Sequence, residues 1–335
     1  MSKNQIQYIV DLVKMSENRV PIILMTSTHH FTDVAICNTG YEFYNLDIPQ
    51  FPIKWSPNVP VPTNMHIIKD IQELPHKPDL IISQNIVDQY NIFKQLSYYF
   101  DCPLIEFEHT FPTKEWTRLK TVDTIAKQVQ VDKYVFISNI SKDAWAHKDD
   151  PKAAVVYHMV DSNEFCGWDG GKGQRRAMIL VNQFNTRQWA VGNPTNLMLK
   201  DNRIDLFGMN PGFNSTLLSQ TQVIDTMRKY DLFINQSEMS PLPASVLEAA
   251  AIGMPILSRK TCAIPEFFEH GKSILFYETD DEALSIINDL FSKYDVEYLK
   301  QLGNNAREVI LKDFNKERYT SDWQKIITET IANYE

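Results

Sequence analysis

The densest chemistry in the chain lies in residues 235–258, NQSEMSPLPASVLEAAAIGMPILS. The pattern predicts a strand ending at Asn235, a polar loop with two prolines, and a helix over Ala244–Ile252. Gly253 would close that helix and Pro255 would open the next strand. The first turn of a helix leaves N–H groups without intrahelical acceptors. Ala244, Ser245 and Val246, directly after Pro243, therefore offer a site for an anion such as a diphosphate, worth about 0.3–2 kcal/mol from the helix dipole. Glu248 stands one turn further in, placed to reach a neutral hydroxylated group beside the phosphates. Glu238 and Ser240 supply the polar side chains of the preceding loop.

Other candidates sit after other strands. Arg187 is the one cation in VNQFNTRQW, residues 181–189, and a guanidinium can hold a phosphate with two parallel hydrogen bonds. Asn182 and Gly208 belong to neighbouring strand ends, and Arg259 and Lys260 follow the strand at 255–258. His109 comes after Glu108 at the end of a strand over 103–107, and His29 and His30 lie in TSTHHF after the first strand. The two adjacent histidines have no metal-ligand spacing, so a metal role is not expected, and they stand as the weaker candidates for a ligand cleft.

These residues need a scaffold that brings strand ends together. In the first half, short apolar runs at 21–25, 79–83, 103–107, 133–138 and 153–158 alternate with helical patterns at 87–100, 116–129 and 141–147. In the second half, runs at 178–181, 204–208, 232–235, 255–258 and 273–276 alternate with helices at 219–229, 244–252, 264–269 and 281–292. Alternation of this kind predicts parallel sheets with crossover helices, which bind ligands outside the carboxyl ends of their strands. The glycine-rich CGWDGGKGQRR, residues 166–176, reads as a hinge between the halves, and the proline-rich 49–62 as a long surface loop. Ile6, Ile9, Val10 and Val13 mark an amphipathic helix at the start.

With 335 residues, the length fits two domains. Lys and Arg total 33 against 42 Asp and Glu, a net charge of −9, so the chain as a whole is not built to coat nucleic acid or anionic membrane. The four cysteines are dispersed without CxxC spacing, which speaks against zinc and disulfides and for reduced thiols in a cytoplasmic protein. No apolar run is long enough to span a membrane. The sequence contains no GxSxG, Walker or GxGxxG motif, which lowers the hydrolase, nucleoside triphosphatase and dehydrogenase classes.

Glu248, Ala249, Ala250, Ala251, Gly253 and Pro255, with Pro243 five residues before Glu248, resemble the nucleotide-sugar signature of glycosyltransferase family 4. These are retaining enzymes of the GT-B architecture. The resemblance extends to TCAIPEFFEHGKSILF at 261–276, VVYHMVDSNEF at 155–165, the pair Glu108-His109, and the tail 314–334. It implies two facing Rossmann-like α/β domains with a cleft between them and a C-terminal helix crossing back to the first. The boundaries would be 1–165 for the acceptor domain, 166–313 for the donor domain and 314–335 for the returning helix. It also implies that Glu248 holds the nucleotide ribose, that the 243–246 loop and Arg187 hold the diphosphate, and that His109 contacts the donor sugar.

The chain departs from the family pattern in three places. Ser240 stands where the family has its first Glu, and Glu238, the nearest acid, takes its catalytic place if the loop is shifted by two residues, beside His109; TSTHHF replaces the usual glycine pair; and Arg187 stands alone where the family has a basic pair for the diphosphate. The expected activity is transfer of a sugar from a nucleoside diphosphate sugar to an acceptor hydroxyl, with retention and without cofactor or metal. The acceptor would be a glycan, a lipid-linked molecule or a small molecule. Rival readings are a phage-type DNA base glucosyltransferase, a sugar-nucleotide epimerase on the same architecture, and a non-catalytic sugar-nucleotide or glycan-binding subunit.

Overall fold

The structure is a computed structural model that describes residues 19–28, 30–55, 59–85, 89–113, 121–213 and 218–334. The amphipathic pattern at 6–13, His29, and parts of the helical patterns at 87–100 and 116–129 lie outside the described residues. Two open sheets form the scaffold. The first has seven strands: β1 (Ile22–Met25), β2 (Glu42–Leu46), β3 (Met65–Ile68), β4 (Leu80–Gln84), β5 (Leu104–Glu108), β6 (Lys133–Phe136) and β7 (Ala153–Val155), in the order β3-β2-β1-β4-β5-β6-β7. The second has five: β8 (Ala177–Leu180), β9 (Ile204–Phe207), β10 (Leu232–Asn235), β11 (Ile256–Arg259) and β12 (Leu275–Tyr277), in the order β12-β11-β10-β8-β9, with parallel pairing throughout.

Strands covered on both faces read as unbroken apolar runs, which is why the central ones were visible in the sequence. Ile23, Leu24, Leu80, Ile81, Ile82, Leu104 and Ile105 are sealed from solvent in the first sheet, and Ala177, Met178, Leu232, Ile234, Ile256 and Leu257 in the second. Sequence reasoning missed β3 at the outer edge and β2 beside it. Their residues, EFYNL and MHII, mix polar and apolar side chains, so neither reads as an unbroken apolar run, and β3 as the edge strand tolerates this best.

The described helices are α1 (His30–Cys37), α2 (Tyr90–Phe100), α3 (Thr121–Gln128), α4 (Asn139–Ala144), α5 (Phe184–Val191), α6 (Thr195–Lys200), α7 (Gln220–Met227), α8 (Ala244–Ile252), α9 (Ile264–Phe267), α10 (Asp280–Lys293), α11 (Val296–Asp313) and α12 (Lys316–Ala332). Helix α8 is as expected, and α1, α5, α6 and α11 are additions. Helix α11 hides behind an apparent breaker, Gly303-Asn304-Asn305. That glycine is required for packing: a Cβ on Gly303 would lie 1.8 Å from the carbonyl oxygen of Gly253, so the backbones of α11 and the α8 C-terminus touch. Arg307 on α11 donates to the carbonyls of Ala251, Phe165 and Ser162, tying α8 to the segment before 166.

By compactness the chain divides into Met1–Phe107 with Val131–Lys133 and Trp323–Glu335, and Glu108–Gln130 with Tyr134–Asp322. Within the first unit the end of α12 is packed in place. Trp323 meets Phe107 edge-on at 5.0 Å, and Gln324 donates to the Thr39 carbonyl at 2.9 Å. Within the second, residues 166–176 are pinned rather than loose. Gly173 and Arg176 donate backbone N–H to Asp231 at 3.2 and 3.1 Å, and the Trp168 indole donates to the Tyr230 carbonyl at 2.8 Å. The 49–62 stretch is irregular where described, apart from one bridge between Ile48 and Phe51. Among the described residues no helix is long and apolar enough to cross a membrane.

Candidate functional site

In the second sheet the chain passes from β8 outward to β9, then returns to the other side of β8 to form β10. Loops leaving β8 and β10 therefore diverge across a crevice, the position where open α/β sheets receive ligands. The loop after β8 runs into α5, and the loop after β10, residues 236–243, runs into α8.

The two loops are locked together. The Ala190 carbonyl near the end of α5 accepts from the N–H of both Glu238 and Met239, at 2.8 and 2.9 Å. Gly192 follows with φ +76°, and a Cβ there would sit 2.3 Å from the Gln236 carbonyl oxygen, so only glycine fits this approach. From the other side, the Thr261 hydroxyl donates to the Ser237 carbonyl at 2.6 Å, the Cys262 thiol to the Glu238 carbonyl at 3.3 Å, and the Ala263 N–H to the Pro241 carbonyl at 3.0 Å. The Tyr277 hydroxyl holds the Asn235 carbonyl at 3.1 Å.

These bonds tie the peptides of the loop down from both sides. The N–H groups of Ser240, Ala244 and Ser245 meet no acceptor among the described residues. Val246 differs from expectation: its N–H already donates to the Pro243 carbonyl at 3.1 Å, because the first turn of α8 is tight. Two free amides of the helix, not three, are left for a ligand.

Helix α8 is otherwise apolar and buried, with Val246, Leu247, Ala249, Ala250 and Ala251 fully enclosed. Glu248 is its only charged side chain. The residue keeps some exposed surface, yet its carboxyl lies deep among protein atoms, and burial pushes its pKa up from 4.5 to about 7. It makes no hydrogen bond or ion pair among the described residues. A half-neutralised carboxyl with no protein partner, one turn from two free amides, is poised for a hydroxyl donor from outside.

Arg187 lies within α5 rather than in a loop, at a kink with φ −126° and ψ 25°, and is exposed without a partner among the described residues. Arg259, by contrast, is committed: it donates to Asp280 at 3.0 Å and the Glu278 carbonyl at 3.3 Å. Lys260 is exposed. Asn182 caps the loop after β9 by accepting from the Met209 N–H at 2.7 Å, and Gly208 has φ +103°, where an added Cβ would overlap the Val181 carbonyl oxygen and the Asn182 side chain. Sequence reasoning missed the buried Asn210, which donates to the Val181 carbonyl at 2.8 Å and accepts from the Phe184 N–H at 3.1 Å, joining both strand ends to α5. An isolated asparagine in a loop gives no signal of that role.

The first sheet has its own switch point, between β1 and β4. A network of neutral and acidic groups fills it: Ser27 donates to Asp33 at 2.5 Å, Thr28 to Gln84 at 2.5 Å, and Gln84 to the Thr26 carbonyl at 2.9 Å. His30 opens α1 beside it. At the end of β5, Glu108 turns back to accept from the Thr110 N–H and hydroxyl at 2.7 and 2.6 Å, and His109 is half-buried next to it.

Comparison with known proteins matches residues 202–309 to the family model described as glycosyl transferases group 1. Over this segment the chain is similar to that family. It holds β9 to α11, with the 236–243 loop and Glu248 at its centre. Over 81 residues the chain is 37% identical to WcaL of Salmonella typhimurium strain LT2, named as a candidate colanic acid biosynthesis glycosyltransferase, covering 24% of this chain and 20% of that one. Over 114 residues it is 26% identical to the N-acetyl-alpha-D-glucosaminyl L-malate synthase of Bacillus anthracis, covering 34% of this chain and 30% of the relative. The matches thus span about a fifth to a third of those relatives' length.

The fold is similar over nearly the whole chain. Sucrose-phosphate synthase from Thermosynechococcus elongatus aligns with TM-score 0.70 at 13% identity, covering 94% of this chain and all of that one. HepE of Anabaena, solved with UDP-glucose, aligns with TM-score 0.62 at 14% identity and the same coverage. The two parallel-sheet α/β domains are those of the GT-B architecture expected from the sequence.

Proposed function

We propose that the chain is a glycosyltransferase that moves a sugar from a nucleoside diphosphate sugar to an acceptor hydroxyl, with retention at the anomeric carbon and without a metal ion. The observation that carries this reading is the unpartnered, buried Glu248 beside the free amides of Ala244 and Ser245 at the β8–β10 crevice. A ribose diol donates two hydrogen bonds to that carboxylate, and the diphosphate takes the amides and the Arg187 guanidinium. The glycosyl segment of the relatives and the UDP-glucose held by HepE support UDP-sugars as the first donors to test.

In the transfer step the bond between the anomeric carbon and the terminal phosphate oxygen breaks as the acceptor oxygen bonds that carbon. The acceptor proton passes to the departing phosphate oxygen, so no separate protein base is required. Charge growing on the leaving diphosphate is met by the Ala244 and Ser245 amides and by Arg187, a preorganised arrangement of donors. Glu238 and His109 face the sugar in this reading, with Asn182, Ser240 and Gly208 at its margin. The acceptor in this reading is a glycan, a lipid-linked molecule or a small molecule.

Donor binding and transfer in Glu248→Ala and Arg187→Ala test the assignment. Unchanged donor affinity in both folded variants sinks it. Ser240, in place of a family Glu, favours one second reading, a subunit that binds sugar nucleotides without turnover. Binding without transfer to any acceptor distinguishes it.

A further inference from the structure

We infer that Thr261 and Cys262 are positioning residues for the donor loop, a role that rests on the proposed donor site and adds to it a clamp outside the ligand's reach. Strand β11 ends at Arg259, and the next four residues turn beneath the loop that follows β10. Three consecutive residues there bond the loop from below: Thr261 to Ser237, Cys262 to Glu238, and Ala263 to Pro241. Only the third uses backbone N–H, which any residue but proline could supply. The first two depend on side chains, a hydroxyl at 2.6 Å and a thiol at 3.3 Å.

The backbone supports the same conclusion. Cys262 has φ +54°, the left-handed region that a residue with a Cβ seldom occupies and that persists where surrounding contacts over-determine it. In that conformation its thiol reaches the Glu238 carbonyl, whose own N–H is held by Ala190 on the far side. Glu238 is therefore gripped on both peptide flanks, and Ser237 next to it is gripped by Thr261. The clamp holds the peptides of residues 237–241 in place, next to the N–H groups of Ser240, Ala244 and Ser245 that meet no acceptor among the described residues. A neutral, side-chain-built support of this sort raises donor affinity without touching the donor.

The test is donor affinity in Thr261→Val, Thr261→Ser and Cys262→Ala, measured by titration with UDP and with UDP-glucose, together with thermal melting of each protein alone. Thr261→Val leaves the Ser237 carbonyl without this bond in a nearly isosteric setting, and Kd is expected to rise about 5- to 10-fold for both UDP and UDP-glucose. Thr261→Ser is expected to restore the wild-type Kd, and Cys262→Ala to raise it about 2- to 3-fold, because a thiol is a weak donor. Wild-type donor Kd in folded Thr261→Val overturns the clamp. So does a loss that Thr261→Ser fails to repair. If the wild-type protein itself binds no nucleoside diphosphate, the proposed function fails first, and the two failures are told apart by that control.

Discussion

Replacing Glu248 by Gln is expected to make the protein more stable and a poorer binder at the same time. Burial raises the carboxyl pKa from 4.5 to about 7, which at about 1.36 kcal/mol per pH unit is about 3 kcal/mol against the charged form. Water reaches the exposed part of the residue, so about 1–2 kcal/mol is the realistic size. A folded state that holds its proton more tightly than the unfolded chain is favoured at low pH. The cost of Glu248 is absent below about pH 4.5, grows as pH rises to about 7, and is constant above. Glu248→Gln removes it, so the variant melts about 2–4 °C above the wild type at pH 8, and the two melt together at pH 4.

Donor binding moves in the opposite direction. The ionised carboxylate accepts the ribose hydroxyls, so wild-type affinity falls as pH drops below about 7, and binding at pH 7 releases about half a proton. The glutamine variant binds about 10-fold or more weakly at pH 8 and shows no such slope. Calorimetric titration in two buffers of different ionisation heat measures the proton release, and thermal melting at pH 4 and 8 measures the stability. A variant less stable than wild type at pH 8, or one that binds donor equally well, refutes the reasoning.

Four further outcomes follow from the geometry. Arg187→Ala should raise donor Kd about 10-fold without changing the melting temperature, because the side chain is exposed and bonds nothing among the described residues. Gly303→Ala should destabilise by about 3 kcal/mol or more in denaturant melts, since its Cβ would overlap the Gly253 carbonyl. Asn210→Ala, which strands the Val181 carbonyl and the Phe184 N–H, should cost about 1–3 kcal/mol in the same melts and weaken donor binding. Transfer should survive an excess of chelator; loss of activity restored by a divalent cation would contradict metal-independent leaving-group stabilisation.

The sequence announced the centre of the site and concealed its supports. Asn235, Pro243, Gly253 and Pro255 punctuate their elements by local backbone rules, so β10, α8 and the turn between them were readable residue by residue. Helix α11 was concealed by Gly303, whose purpose is contact with a carbonyl fifty residues earlier. Arg187 was assigned to a loop because FNTRQWAV lacks an apolar stripe; the helix there is kinked at Arg187, and its start is held by Asn210. The use of the Val246 N–H by Pro243 depends on the pitch of one helical turn, which no residue type reports.

A carbonyl oxygen has two lone pairs, and at Ala190 both are engaged by the neighbouring loop. Helix α5 and residues 236–239 therefore move as one piece, with Gly192 leaving no room to slide between them. For protein engineering this sets the unit of exchange. A chimera that takes residues 236–243 from a relative must take 184–192 as well, since either alone brings a loop to a partner shaped for another.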